Sequence, residues 1–307
     1  MKNGNIVRWL ASGAANVMGG IVKGVCNGVK QAIEEHRDSG VFKTIRPCTF
    51  EEMLQDCDIA YIAFIHNHCM KKLEDRNGEG VQTISDSDNI LVAKSESAPD
   101  MTVECAKKIG LILPNNTDPN SVIRPFVITF YGVGAGRTLN QLSLAIKNVF
   151  NVESGAIGLI YALVMSFIES EQKRLSDGSN VVVVPMLAGF SMGGLLANTI
   201  GVKENIASVT FNPLGLGREA RNFVGADKFD LANGEKAKNH MSFFVDFDFV
   251  SSENMPPAAM TATPGQKVRL PNDNPANPIK THREYETAFT KALMNGQTTT
   301  PRLPQAN

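Results

Sequence analysis

Apolar residues recur at helical spacing over residues 6–32, through Ile6, Leu10, Val17, Ile21, Val25 and Val29, and predict an amphipathic helix there. Gly13, Gly19, Gly20, Gly24 and Gly28 each weaken that helix by roughly 1 kcal/mol relative to alanine. Packing or a membrane surface would have to complete it. Residues 39–120 carry mixed patterns: a helix over 49–56, an apolar stretch at 59–65 and a strand near 90–93, closed by turn-rich 114–120. After that the pattern becomes regular. Residues 126–131 form a β-branched and aromatic run ending in Gly132-Val133-Gly134-Ala135-Gly136, and 139–150 continue with helical periodicity. A further helix is predicted over 156–174; its apolar part, 156–168, lies between Glu153 and Glu169, is too short to span a bilayer and reads as a buried helix. Val181, Val182, Val183 and Val184 mark a strand buried on both faces of a parallel sheet. A helix over 191–200, strands at 207–211 and 241–245, and a helix over 284–294 extend the alternation. The class it predicts is α/β, a mostly parallel sheet flanked by helices.

Composition narrows this little. At 307 residues one core with additions is expected, with residues 1–120 as an N-terminal extension and 121–300 as the catalytic domain. Apolar residues at 43%, charged residues at 20% and a net charge of -1 describe a globular protein with no bulk attraction to nucleic acid. The five cysteines, Cys26, Cys48, Cys57, Cys69 and Cys105, cannot all pair within the chain, which suits a reducing compartment. Glycines, Asn16 and Lys23 interrupt the opening apolar stretch, so a cytoplasmic protein, or one exported without a cleaved signal, is expected. Lys2, Arg8, Lys23 and Lys30, with no acid among the first thirty residues, would attract residues 1–33 to an anionic membrane; the alternative is a helix docked on the domain.

The chemistry-bearing pattern follows the valine strand: Gly189-Phe190-Ser191-Met192-Gly193-Gly194, then the helical Leu195-Leu196-Ala197-Asn198. Small residues two before and two after the serine let a strand turn sharply into a helix and lift the hydroxyl above the sheet edge, the nucleophile elbow of α/β-hydrolases. The bland alternative makes Ser191 a helix cap. A serine nucleophile needs a base, and the base needs an acid to fix its tautomer. In this fold the acid and then the base follow the serine. His240 lies on the entry side of the strand at 241–245, whereas catalytic groups gather where parallel strands end, so His282 is the candidate base. Two carboxylates, Asp246 and Asp248, lie past that strand, and alternation points both the same way.

The order Phe130-Tyr131-Gly132, Gly189-Phe190-Ser191-Met192-Gly193-Gly194, Thr210-Phe211-Asn212-Pro213, Asp248-Phe249-Val250 and Pro256-Pro257 resembles the class 3 lipases and related lipase-like proteins, over roughly residues 126–293. The resemblance implies Ser191 as nucleophile, Asp248 as acid because it begins Asp-x-Val, and His282 as base. It implies an oxyanion hole from the backbone N–H groups of Met192, which follows from the elbow, and Val133. Phe190 stands where the family has His, and Val133 where it has Ser or Thr; both departures bear on substrate preference more than on catalysis. The activity implied is ester hydrolysis, with an acyl lipid or phospholipid as substrate and an acyl-enzyme as intermediate. Acyltransfer or thioester cleavage on the same residues, or a silent hydrolase-fold binding protein, are the alternatives.

Residues 251–280 carry Pro256, Pro257, Pro264, Pro271, Pro275 and Pro278 and read either as an apolar rim or lid with Met255 and Met260, or as a stiff loop that delivers His282. His66-Asn67-His68-Cys69 lacks a second ligand pair, and Gly132 to Gly136 lacks both the Lys-Ser/Thr ending and the G-x-G-x-x-G spacing. No metal and no cofactor are expected.

Overall fold

The computed structural model describes residues 48–49, 81–86, 89–130, 156–176, 180–232, 239–245, 248, 263–270, 282 and 285–298. The chain divides between Arg46 and Pro47, and every described residue belongs to the second unit, Pro47–Asn307. The helices expected over 6–32 and 139–150 lie outside the described residues, as do His66, His68, Cys69 and Val133.

The described strands are β1 (Cys48–Thr49), β2 (Val81–Asp86), β3 (Asn89–Ser97), β4 (Met101–Thr102), β5 (Val122–Phe130), β6 (Val181–Phe190), β7 (Ser208–Phe211), β8 (His240–Val245) and β9 (Gln266–Leu270). They form one sheet in the order β1-β9-β8-β7-β6-β5-β3-β2, with β4 also paired to β5. From β5 through β6, β7, β8 and β9 to β1 every pairing is parallel, whereas β2, β3 and β4 pair antiparallel. Strands β1 to β4, all before residue 120, thus share one sheet with those after it. The described helices are α1 (Val103–Lys108), α2 (Ala156–Leu175), α3 (Met192–Glu204), α4 (Arg218–Val224), α5 (Ala226–Ala232) and α6 (Tyr285–Thr298).

Strand alternation sends side chains to two cores. Phe126, Ile128 and Phe130 of β5 pack with residues of α2, α3 and α4 on one face. Ile123 and Val127 pack with residues of α1 and α6 on the other. Helices thus cover both faces of a mostly parallel sheet, with a strand-to-helix elbow after β6, and this is the α/β-hydrolase arrangement. Buried residues surround α3 on all sides, as the central helix of such a domain requires.

Several details depart from the sequence reading. Val181, Val182 and Val183 are only half-buried, because β7 pairs with β6 from Leu187 onward and leaves the valine end of β6 without that neighbour. The deepest stretch of β6 is 186–189. Helix α2 buries one face, through Ile157, Ile160, Val164, Phe167 and Ile168, while Leu159 is 56% exposed, so it is an outer-layer helix and not one buried all round. Among the described residues no helix is long and apolar enough to cross a membrane. Thr49, expected to open a helix, belongs to β1 and pairs with Arg269. Part of the proline-rich segment read as a lid or loop is the strand β9, in which Val268 and Leu270 are buried between more exposed Lys267 and Arg269.

Beneath α3 the sheet presents a polar row. Ser208, Thr210, His240 and Ser242 are buried there, with Asn198 of α3 above them. Asn198 Oδ1 can only accept, so it takes the Ser208 hydroxyl hydrogen at 2.9 Å. Ser208 Oγ must then accept from His240 Nδ1, also 2.9 Å away, which places that ring's hydrogen on Nδ1. Thr210 Oγ1 and Ser242 Oγ share a bond of 2.8 Å. Burial pushes the His240 imidazole down from 6.5 to about 4.

That depression makes a prediction. Between these two values the unfolded chain takes up a proton that the folded chain refuses. Stability is therefore fully present above pH 6.5 and falls as the pH drops toward about 4, by roughly 3 kcal/mol in total. Urea-unfolding midpoints of wild type and His240→Asn between pH 7.5 and about 4 test this. The variant should be weaker at neutral pH yet lose less on acidification, and parallel curves would remove His240 as the cause.

Candidate active site

The site is built at the C-terminal end of β6, where the chain turns directly into α3. Ser191 takes φ 55° and ψ -119°, a conformation that a residue with a Cβ adopts only when its surroundings compel it. Backbone bonds supply the compulsion. Its N–H donates to the Phe211 carbonyl at 3.2 Å, and its own carbonyl accepts from Leu195 N at 3.2 Å and Leu214 N at 3.0 Å. Glycine is needed on both sides of the turn. A Cβ on Gly189 would overlap the Gly193 backbone, and one on Gly194 would lie 2.7 Å from Pro213 Cβ.

The Ser191 side chain does not cap α3. Its Oγ lies 2.9 Å from His282 Nε2, and His282 Nδ1 lies 2.9 Å from Asp248 Oδ2. The cap alternative therefore falls, and residues 91 and 34 positions apart join in one hydrogen-bonded chain. Asp248 is fully buried and Ser191 is 8% exposed. An ionised carboxylate only accepts, so the imidazole hydrogen sits on Nδ1 and Nε2 is left to accept the serine proton. A hydroxyl with a base on one side and an acid fixing that base is equipped to attack an electrophilic carbon.

The two histidines considered from sequence have separate places. His240 opens β8 and bonds Ser208, whereas His282, three residues before α6, reaches Ser191. Asp248 does not continue β8. The strand ends at Val245, and Asp248 N donates to the Val245 carbonyl at 3.1 Å, which closes a turn. Asp246, the other carboxylate past that strand, lies outside the described residues. Met192, the first residue of α3, has no intrahelical acceptor for its N–H, and the helix dipole favours negative charge beside it.

Phe190, which precedes the nucleophile candidate, is half-buried and stacks on the His282 ring at 4.9 Å between centroids and on Tyr285 at 4.4 Å. The His282 ring therefore shares Phe190 as a stacking partner with Tyr285, the first residue of α6. Nothing in the local pattern around residue 190 announces this contact, nor the bond from the side-chain amide of Asn212, a landmark of the motif order, to the His282 carbonyl at 2.8 Å.

No protein-family model matches the chain, and no curated protein matches it. Among solved structures it is similar to dienelactone hydrolase from Anabaena variabilis, with 13% identity and a TM-score of 0.33, over 71% of this chain and 94% of that one. It is also similar to Est1E from Butyrivibrio proteoclasticus, with 12% identity and a TM-score of 0.29, over 70% of this chain and all of that one. A thermostable esterase from Pseudomonas putida matches at 13% identity and a TM-score of 0.27, over 70% and 83% of the two chains. Likenesses this distant carry no argument about chemistry, and the fold assignment rests on the strand order and the elbow described above.

Proposed function

We propose that the protein is a serine ester hydrolase acting on acyl esters, with lipid esters as the substrate class that its motifs favour. The observation that carries this is the unbroken chain from Asp248 through His282 to Ser191, with 2.9 Å at each link, ending at a serine in the strained elbow conformation. Ser191 Oγ attacks the ester carbonyl carbon while its proton passes to His282 Nε2. The carbonyl oxygen becomes an oxyanion, for which the Met192 N–H is one donor and the Val133 N–H the expected second. When the intermediate collapses, the C–O bond to the alcohol breaks and His282 returns the proton to the leaving alkoxide. Water, deprotonated by the same imidazole, then releases the acid from the acyl-serine. Asp248 keeps Nδ1 protonated throughout and stabilises the imidazolium.

A fluorophosphonate probe should label Ser191 in the native protein and lose that reaction after heat denaturation, with the adduct located by peptide mass. Failure to label native protein at that residue would count against any acyl-enzyme chemistry here. Incubation with separate lipid classes, followed by product identification by mass, should then yield free fatty acid.

A further inference from the structure

We infer that Asn212 is a positioning residue for the base, its one carboxamide setting the place of the imidazole relative to the acid. This rests on the serine hydrolase reading. Asn212 is fully buried at the end of β7, and both ends of its amide are engaged with other segments. Oδ1 accepts from the Val245 N–H at 2.8 Å, and Nδ2 donates to the His282 carbonyl at 2.8 Å. Val245 is the residue whose carbonyl receives Asp248 N, so it anchors the acid-bearing turn. A single planar amide therefore spans from the root of the acid turn to the backbone of the base, joining segments that lie 33 and 70 positions further along the chain.

The residue type follows from three demands at this position. Its φ is 40°, in the left-handed region that asparagine and glycine enter most readily, and it precedes Pro213, which restricts it further. Its own N–H donates to the Phe243 carbonyl at 2.7 Å, which locks the backbone onto β8. The side chain must then offer a donor to one buried carbonyl and an acceptor to one buried N–H. Glycine meets the first demand and fails the last; aspartate keeps the acceptor and loses the donor. The imidazole must touch Asp248 Oδ2 and Ser191 Oγ at once, so small errors in its backbone position break one bond or the other.

The test uses Asn212→Asp, which keeps the acceptor for Val245 and puts an acceptor in place of the donor to the His282 carbonyl, and Asn212→Gly, which keeps the backbone conformation and removes both bonds. Both variants should fold by circular dichroism, with kcat lowered about 100-fold and KM within about twofold, as misplacement of a reacting group by about 1 Å can produce. In an Asp248→Asn background the Asn212→Asp effect should shrink to about threefold or less, because alignment with the acid no longer matters. A merely structural role would leave it undiminished. Proton NMR reads the same bond without turnover: the low-field Nδ1 proton of His282 should be seen in wild type and lost or broadened in either variant. A folded Asn212→Asp with wild-type kcat and an unchanged Nδ1 signal overturns the proposal. If the signal depends on Asn212 while the wild type neither labels nor turns over ester, the positioning role stands and the hydrolase reading fails.

Discussion

Replacing Ser191 by alanine should leave a folded protein whose ester turnover is lower by roughly 10⁴- to 10⁶-fold, and His282→Ala should cost about as much. The loss is large because the hydroxyl is the only atom of that side chain that reaches His282, at 2.9 Å, and no other group of the relay can attack in its place. The two losses should not add. A serine without its base and a base without its serine fail at the same step, so Ser191→Ala/His282→Ala should be nearly as active as either single variant. Stability should hardly suffer. Alanine at residue 191 keeps the φ of 55° as strained as before, and the backbone bonds to Phe211, Leu195 and Leu214 do not involve the side chain. Turnover of purified variants, with a urea midpoint for each, checks both parts. A Ser191→Ala protein retaining more than about a tenth of wild-type turnover would remove the serine from the mechanism.

Where local pattern and tertiary environment agree, the elements could be read from the chain. Gly189 and Gly194 around Ser191 disclose the elbow because the space there excludes a Cβ at either, a constraint that leaves its mark in residue type. The alternation of strand and helix after residue 121 foretold the parallel sheet, and His240 was set aside because it opens β8, on the entry side of that strand. What failed were readings that carried a local rule past its limit. Four valines implied double-sided burial, yet a neighbour of only four residues, Ser208–Phe211, cannot cover the whole of β6. Prolines and charges concealed β9, although Val268 and Leu270 already alternate with Lys267 and Arg269. Asn212 and the stacking of Phe190 on His282 were beyond reach, since nothing in the one-dimensional pattern says which distant segments a strand-end amide or ring will meet.

Asp248→Asn separates geometry from motif most sharply, because it alters one atom of a buried side chain and none of its shape. The carboxylate Oδ2 accepts the Nδ1 hydrogen of His282 at 2.9 Å and so reserves Nε2 for the serine proton. Asparagine can turn its NH₂ toward the ring, accept nothing there, and stabilise the tautomer that carries hydrogen on Nε2. That nitrogen then faces Ser191 Oγ as a donor and cannot take its proton. Turnover should fall roughly 10⁴-fold, while KM and the unfolding midpoint move little, since the residue stays the same size and at the same depth. Asp246→Asn should cost far less. The bond from Asp248 N to the Val245 carbonyl holds the later carboxylate where its Oδ2 meets the imidazole. Both variants measured under identical conditions decide the assignment: if Asp246→Asn proves the more damaging, Asp248 is not the acid, even though Ser191 and His282 keep their roles.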